Sequence, residues 1–347
     1  MYRKRLVLII LLIGLLVAGF FAYYIYNALF VSNTSFEGKT RYVYVSSDGD
    51  YSEVRSQLDT LLKDMGTFEA VAKRKNYLTN IRPGRYPIEA GMNNNDIVNS
   101  LRSRNTPIRV AFNNQETPFD LAGRIATQIE ADSVSLVTAM YDPEFLAKAG
   151  LDRHTAIAPY LPNTYEFYWN TSAEEFRDRM WDYYQKYWNE ERRELARKQG
   201  LSPEEVLTLA SIVQKETAKT DERPRVAGVY LNRLREGMAL QADPTVIYGI
   251  KFETGNYDTI IKRVLYRDLE FDTPYNTYMY RGLPPGPIFM PDMSSVEAVL
   301  RPEKHNYFYF VVDVSNFGYH MFAESLAQHN RNKAQYIRWI NAQGIRR

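Results

Sequence analysis

The residues with the clearest chemical meaning lie past the middle of the chain, where a helix ends on a carboxylate. In Leu201–Thr217 (LSPEEVLTLASIVQKET), Ser202 stands as N-cap, Pro203 takes the first helical position and Glu205 closes an S-x-x-E capping box, so the start of the helix is well specified. Val206, Leu209, Ala210 and Val213 then recur at i, i+3, i+4 and i+7, the spacing of a buried stripe. At about 100° per residue, Glu216 falls about 20° from Leu209, on the flank of that stripe, whereas Gln214 and Lys215 point elsewhere. A carboxyl there is partly desolvated, which raises its proton affinity toward the range useful to a general acid. From periodicity alone, a solvated glutamate at a helix end remains the simpler reading.

Three further segments carry polar and aromatic groups. LQADPTVIYG (Leu240–Gly249) sets Gln241, Asp243 and Thr245 ahead of a short apolar run, and an Asp before Pro is equally at home in a turn. TPYNTY (Thr273–Tyr278) and GLPPGPI (Gly282–Ile288) follow. In the latter, Pro284 and Pro285 stiffen the backbone while Gly282 and Gly286 permit close approach, as expected of a groove wall. Other chemistries find little support. Cysteine is absent, which excludes thiol catalysis, disulfides and Cys-based zinc sites. The 4 histidines show no metal-binding spacing, so no metal is expected, and His320 reads as a hydrogen-bonded structural group. No glycine-rich loop follows a strand, and a formal charge of +2 with interspersed signs argues against nucleotide cofactors and nucleic acid.

These segments need a scaffold and a location. Leu6–Phe30 carries no charge and exceeds the ~30 Å of a bilayer core at ~1.5 Å per residue. Arg3, Lys4 and Arg5 precede it, which predicts a cytoplasmic N-terminus with the rest of the chain outside. Tyr23, Tyr24 and Tyr26 replace the small residues of a signal-peptide cleavage site, so a retained anchor with an interfacial aromatic belt is expected. Beyond a polar tether, strands at Arg41–Val45, Gly84–Ile88 and Pro107–Phe112 alternate with helices at Tyr51–Leu62 and Asn93–Ser103, a small α+β module. Two helical stretches within Thr117–Gly150 read as a connector, Pro159–Asn170 as a break, and Ser172–Gly200 as one charged amphipathic helix. Near the end, Asn306–Asp313 and Tyr319–Phe322 form a hairpin about Ser315–Gly318. The fold class is α+β, divided as 1–33 (stub, anchor and start of the tether), 34–112, a connector 113–158, and a mixed α+β domain 159–347.

The order ETAKTDERPRVAGVYLNRLREGMALQADPTVIYG, TPYNTY and GLPPGPI from Glu216 to Ile288 resembles the MltG-type (YceG-like) endolytic murein transglycosylases over most of Pro159–Ala334. The 34–112 module is similar, more faintly, to the LysM-like subdomain of that family. The resemblance implies a lyase without cofactor that cuts the glycosidic bond between N-acetylmuramic acid and N-acetylglucosamine in nascent peptidoglycan strands, leaves 1,6-anhydromuramic ends and so terminates strand growth. Its catalytic glutamate, within ASIV-x-KET, maps onto Glu216; Gln214 stands where many members have a second acid. It further implies an enzyme of the cytoplasmic membrane acting on the outer side, with peptidoglycan synthases as partners. One carboxylate suffices, because an internal hydroxyl replaces the water that a hydrolase activates with a second acid. Other polar groups must then position the sugar: Gln241, Asp243 and Thr245 from one segment, Tyr275 and Tyr278 stacking on pyranose faces, Asn276 and Thr277 as hydrogen-bonding groups. A non-catalytic glycan-binding scaffold is the alternative. Pyridoxal-phosphate lyase chemistry, the other label borne by such sequences, would require a Schiff-base lysine and phosphate cradle, neither of which is evident.

Overall fold

The computed structural model describes residues 2–261 and 263–342. The chain forms two compact units, one running to Val110 and taking in Gln128–Ala131 and Tyr165–Ser172, the other comprising Ala111–Thr127, Asp132–Thr164 and the chain from Ala173 onward.

The first unit opens with α1 (Tyr2–Phe30), 29 residues that carry no charge after Arg5. The helix is long and apolar enough to cross a membrane; its side chains are exposed until the last turn, where Ala28 enters the core. β1 (Arg41–Val45), α2 (Tyr51–Leu58), α3 (Met65–Arg74), β2 (Gly84–Ile88) and α4 (Asn94–Ser103) follow, and β3 (Ile108–Phe112) begins in this unit and ends in the second. β1 and β2 are antiparallel, Val43 opposite Tyr86. Alternation turns Val43, Val45, Tyr86 and Ile88 inward onto Val54, Phe68 and Ile97, the half-buried pattern expected of such a ribbon. α3 carried no sequence signal in the expectations above; Asp64 starts it by accepting from the amides of Gly66 and Thr67.

The stretch expected as a connector folds into three helices, α5 (Pro118–Ala126), α6 (Ser133–Met140) and α7 (Pro143–Ala149), all within the second unit. The break at Pro159–Asn170 contains β4 (Asn163–Phe167), which pairs with β3. The single helix expected over Ser172–Gly200 is two, α8 (Ala173–Tyr187) and α9 (Glu190–Gln199). Trp188 turns fully into the core, and the Asn189 side chain accepts from the Arg192 amide to start a new helix.

α10 (Pro203–Glu216), α11 (Arg223–Arg235), α12 (Asp243–Thr254), a 3-10 turn (Tyr266–Glu270) and α13 (Met293–Leu300) follow, then the hairpin β5 (Tyr309–Val312) and β6 (His320–Ala323), covered by α14 (Leu326–Ala342). α10 is the central helix. It touches α9, α11, α12 and α13, and all eight residues from Val206 to Val213 are buried. The apolar stripe of the sequence has become a whole circumference because neighbours cover every side, including the polar Thr208 and Ser211. These two are satisfied: Thr208 donates to the Glu204 carbonyl, and Ser211 donates to Thr208 and accepts from the Ile288 amide at 3.0 Å.

The capping box is present, with the Glu205 amide on Ser202 Oγ at 3.2 Å and the Ser202 amide on the Glu205 carboxylate at 2.8 Å. Ser202→Ala is expected to destabilise the chain by about 1 kcal/mol in thermal or urea unfolding followed in detergent micelles, without affecting the α10 C-terminus.

Candidate active site

Glu216 is the last residue of α10 and lies half-buried. Tyr230, fully buried one helix away on α11, donates its hydroxyl to Glu216 Oε1 at 2.9 Å. Oε2 has no hydrogen-bond partner among the described residues, yet is not among the polar atoms sealed from solvent. The carboxyl thus has one oxygen clamped and one available. Burial pushes its pKa from the ordinary 4.5 up to about 7. The Tyr230 hydrogen bond opposes that rise, the negative charge of Asp243 adds to it, and His320 and Arg233 act against it. Being the final residue of a helix works in the raising direction too, since the carbonyl end of the macrodipole disfavours a nearby anion. Tyr230 is pushed well above its usual range, chiefly by burial, so its hydroxyl stays protonated and keeps donating.

The last turns of α11 and the α11–α12 connection bring up the next groups. Arg233, almost fully buried, donates through Nε to the Phe308 carbonyl and through a terminal nitrogen to that of Leu240, both at 2.6 Å. It thereby ties the segment leading to Asp243 to the entry of β5. Among the described residues Arg233 makes no ion pair, so its charge remains in the field that Glu216 feels. Asp243 opens α12 and is exposed, as is Gln241. Gln241 has a left-handed φ of 50°, and its amide is bonded to the Thr277 carbonyl. The backbone is unusual at a non-glycine residue and holds the side chain outward. Tyr278 donates to Asp243 Oδ1 at 2.5 Å, closing the far side of the group.

Four of the expected sugar contacts lie in the interior and have no surface to offer a sugar in this conformation. Thr245 and Thr277 are buried against each other at 2.9 Å; Thr245 also donates to the Ala242 carbonyl, and Thr277 accepts from the Ala242 amide. Asn276 donates to the carbonyls of Leu269 and Phe271, both at 2.9 Å, and accepts from the Tyr278 amide. Tyr275 packs against Tyr248 and Phe252, with its hydroxyl 3.2 Å from His154 Nδ1. Their common effect is to fix the loop that carries Tyr278. Gly249 is part of that fit, because a Cβ there would strike Thr273. Gln241, Asp243 and Tyr278 therefore remain the surface-reaching members of the expected set.

GLPPGPI is not beside Glu216. Gly282–Pro285 line a cavity of about 650 Å³ with Glu204, Glu205 and Thr208, at the opposite end of α10. From there the chain follows the helix: Ile288 reaches Ser211, Phe289 takes the Lys215 ammonium over its ring, and the Asp292 amide donates to Gln214. Gln214 is thus a fastening between α10 and the start of α13. His320 is bonded to Glu222, and among the described residues no cluster of three His, Asp or Glu is placed to hold a metal ion.

Two groups that act on the carboxyl escaped the sequence reading, Tyr230 and Arg233, as did Glu222, which holds His320. Tyr230 and Arg233 sit three apart on one face of α11 within the quoted motif, the available signal, but their target becomes visible only once α10 and α11 pack together.

The YceG-like family model matches residues 43–335. The endolytic murein transglycosylase of Bacillus subtilis (strain 168) is 30% identical over 314 residues, covering 85% of this chain and 84% of the relative. That of Streptococcus pneumoniae serotype 2 (strain D39) is 27% identical, covering 92% of this chain; the chain spans 62% of that longer relative. In the crystal structure of a yceG-like protein from Listeria monocytogenes, the superposition covers 84% of this chain and 98% of the other, at 29% identity and a TM-score of 0.56. The chain belongs to the YceG-like family.

The raised proton affinity has a stability consequence. The folded pKa of about 7 exceeds the ordinary 4.5, so the neutral group's contribution is full below about 4.5 and is lost as pH rises through about 7. Glu216→Gln, which cannot ionise, should therefore match the wild type at pH 4 and exceed it by at most about 3 kcal/mol above pH 8, read from thermal midpoints across pH.

Proposed function

We propose that this chain is a membrane-anchored endolytic murein transglycosylase in which Glu216 is the general acid and then the general base. The relatives bearing that name support the reaction class. The observation that carries the assignment to a residue is Glu216 itself: a carboxyl with one oxygen held by Tyr230, the other unpartnered, and a proton affinity near neutrality. At neutral pH a substantial fraction is protonated, the state an acid catalyst needs, and the same group can take a proton back.

In the proposed cycle, Glu216 Oε2 gives its proton to the oxygen bridging the muramic C1 and the glucosamine. The C1–O bond breaks, the glucosamine leaves as a neutral alcohol, and positive charge develops at C1. The anionic Asp243, oriented by Tyr278, favours that charge. The muramic 6-hydroxyl attacks C1 while its proton passes to Glu216, which closes the anhydro ring and restores the acid. Tyr230 keeps the carboxyl in one orientation throughout. We assign Gln241, Asp243 and Tyr278 to contact with the glycan, and Thr245, Tyr275, Asn276 and Thr277 to support of their loops. The 34–112 module is assigned to glycan retention, with LysM-like character.

Digestion of purified peptidoglycan by the full chain, followed by mass spectrometry, is expected to give 1,6-anhydromuramic ends and no new reducing ends. Glu216→Gln should lower the rate by about 10²–10⁴-fold or more while leaving the chain folded. Fresh reducing ends would instead point to hydrolysis with Asp243 as second carboxylate. Full activity in a folded Glu216→Gln chain would favour the glycan-binding scaffold.

The proposed location is the cytoplasmic membrane, N-terminus inside, because Arg3, Lys4 and Arg5 precede α1. A reporter active only outside the cytoplasm, fused after Arg347, should be active, and a cytoplasmic reporter silent; the reverse pattern would overturn the topology.

A further inference from the structure

We propose that the buried Glu222–His320 pair is a positioning device for Glu216: it fixes the His320 ring against the packing that holds the catalytic carboxyl and so sets the pH range over which that carboxyl can act. The inference rests on the reading of Glu216 given above.

The pair is built as one unit. Glu222 stands at the N-terminus of α11 and is 3% exposed. It accepts twice from one residue: the His320 amide donates to Oε1 at 2.7 Å, and His320 Nδ1 contacts Oε2 at 2.8 Å. This bidentate grip fixes both the end of β6 and the orientation of the ring. Phe310 lies edge-on to His320 with ring centroids 5.1 Å apart, and the same phenyl is edge-on to Tyr230 at 5.9 Å. Tyr230 is the group that holds Glu216. On the other side, the Thr217 side chain, directly after Glu216, adds to the stabilisation of the Glu222 carboxylate. The pair is therefore tied to Glu216 from both sides, through the chain at Thr217 and through the Phe310–Tyr230 packing.

A carboxylate this deeply placed would ordinarily be driven toward its neutral form. Burial pushes Glu222 up, but its bonds from His320, with the smaller contribution of Thr217, outweigh burial and hold it below the usual carboxylate range. The His320 ring held in this grip acts on Glu216 in the direction that favours its ionised form. Among the described residues, Lys219 and Asp221 in the α10–α11 loop, Arg225 and Arg233 on α11, and Asp243 at the start of α12 are other charged groups around the pair and Glu216. Asp221 is held by Tyr319 at 2.9 Å and Arg225 by Glu303, while Arg233 acts on Glu216 alongside His320. Without His320, the desolvation of Glu216 and the charge of Asp243 would be opposed by Tyr230 and Arg233 without its help. The carboxyl would then keep its proton to higher pH.

The test uses the full chain in detergent micelles with purified peptidoglycan glycan strands, comparing wild type, His320→Gln and the double variant His320→Gln/Glu222→Gln. The double variant guards against unfolding by an orphaned buried carboxylate. In His320→Gln the alkaline limb of kcat/KM is expected to move up by about one pH unit, with a smaller upward move in the double variant, which loses the anion as well. Infrared difference spectra, each chain against its Glu216→Gln partner, should give the same displacement of the Glu216 protonation midpoint without reference to activity. Folded variants with the wild-type limb and infrared midpoint would overturn the proposal, whatever their turnover. Loss of the folded state in both variants would make the pair a structural brace and overturn it equally. If the wild type cleaves nothing, the transglycosylase reading fails, and the infrared midpoint still decides the role of the pair.

Discussion

The desolvation of one carboxyl governs the organisation of the second unit. A glutamate at the free end of a solvated helix would be ionised at neutral pH and poor as an acid. Here the helix before it is enclosed from Val206 to Val213, so its last turn is carried into protein surroundings. That enclosure is made by α9, α11, α12 and α13, all of which touch α10, and by the extended run along Ile288–Asp292, bonded to Ser211 and Gln214. The core therefore both stabilises the unit and sets the electrostatics of Glu216.

Desolvation alone would make the carboxyl too reluctant to ionise, and the surroundings counter it in stages. Tyr230 donates a hydrogen bond, Arg233 supplies a charge unpaired by any described carboxylate, and His320 adds another influence of the same sign. Asp243 works against them and remains exposed under the Tyr278 hydroxyl. The result, close to neutrality, is a balance of opposed terms, and several of the residues that set it also tie loops together. Arg233 is the clearest case: its guanidinium bonds two carbonyls from segments otherwise remote in sequence. Such dual use places the charge in a fixed position without leaving a buried donor unsatisfied.

The YNTY loop illustrates how a polar motif can serve a site from behind. Asn276 spends its amide on two backbone carbonyls and its oxygen on the Tyr278 amide, replacing secondary structure in a coil that has none. Thr277 and Thr245 do the same for the turn carrying Gln241 and Asp243. Polar residue types in a motif identify a demanding backbone as readily as a ligand contact, and composition does not distinguish the two.

The sequence by itself determined the local features. It specified the apolar helix long enough for a membrane, the short strands at Arg41–Val45 and Gly84–Ile88, the capped start of α10, the C-terminal hairpin and the presence of Glu216 on an apolar flank, because each depends on hydrophobic period, capping chemistry or turn residues within a few positions. Resemblance of the long motifs supplied the family. Only the tertiary structure decided that Ser172–Gly200 breaks at Trp188, that GLPPGPI lies at the far end of α10, and that Thr245, Tyr275, Asn276 and Thr277 turn inward. It alone paired Tyr230 with Glu216, 14 positions apart, and Glu222 with His320, 98 positions apart. The physical reason is that periodicity within one element fixes which face is apolar but not which other element covers it. Burial, hydrogen-bond partners and the field at a titratable group are properties of that covering, and they exist only once the helices have packed.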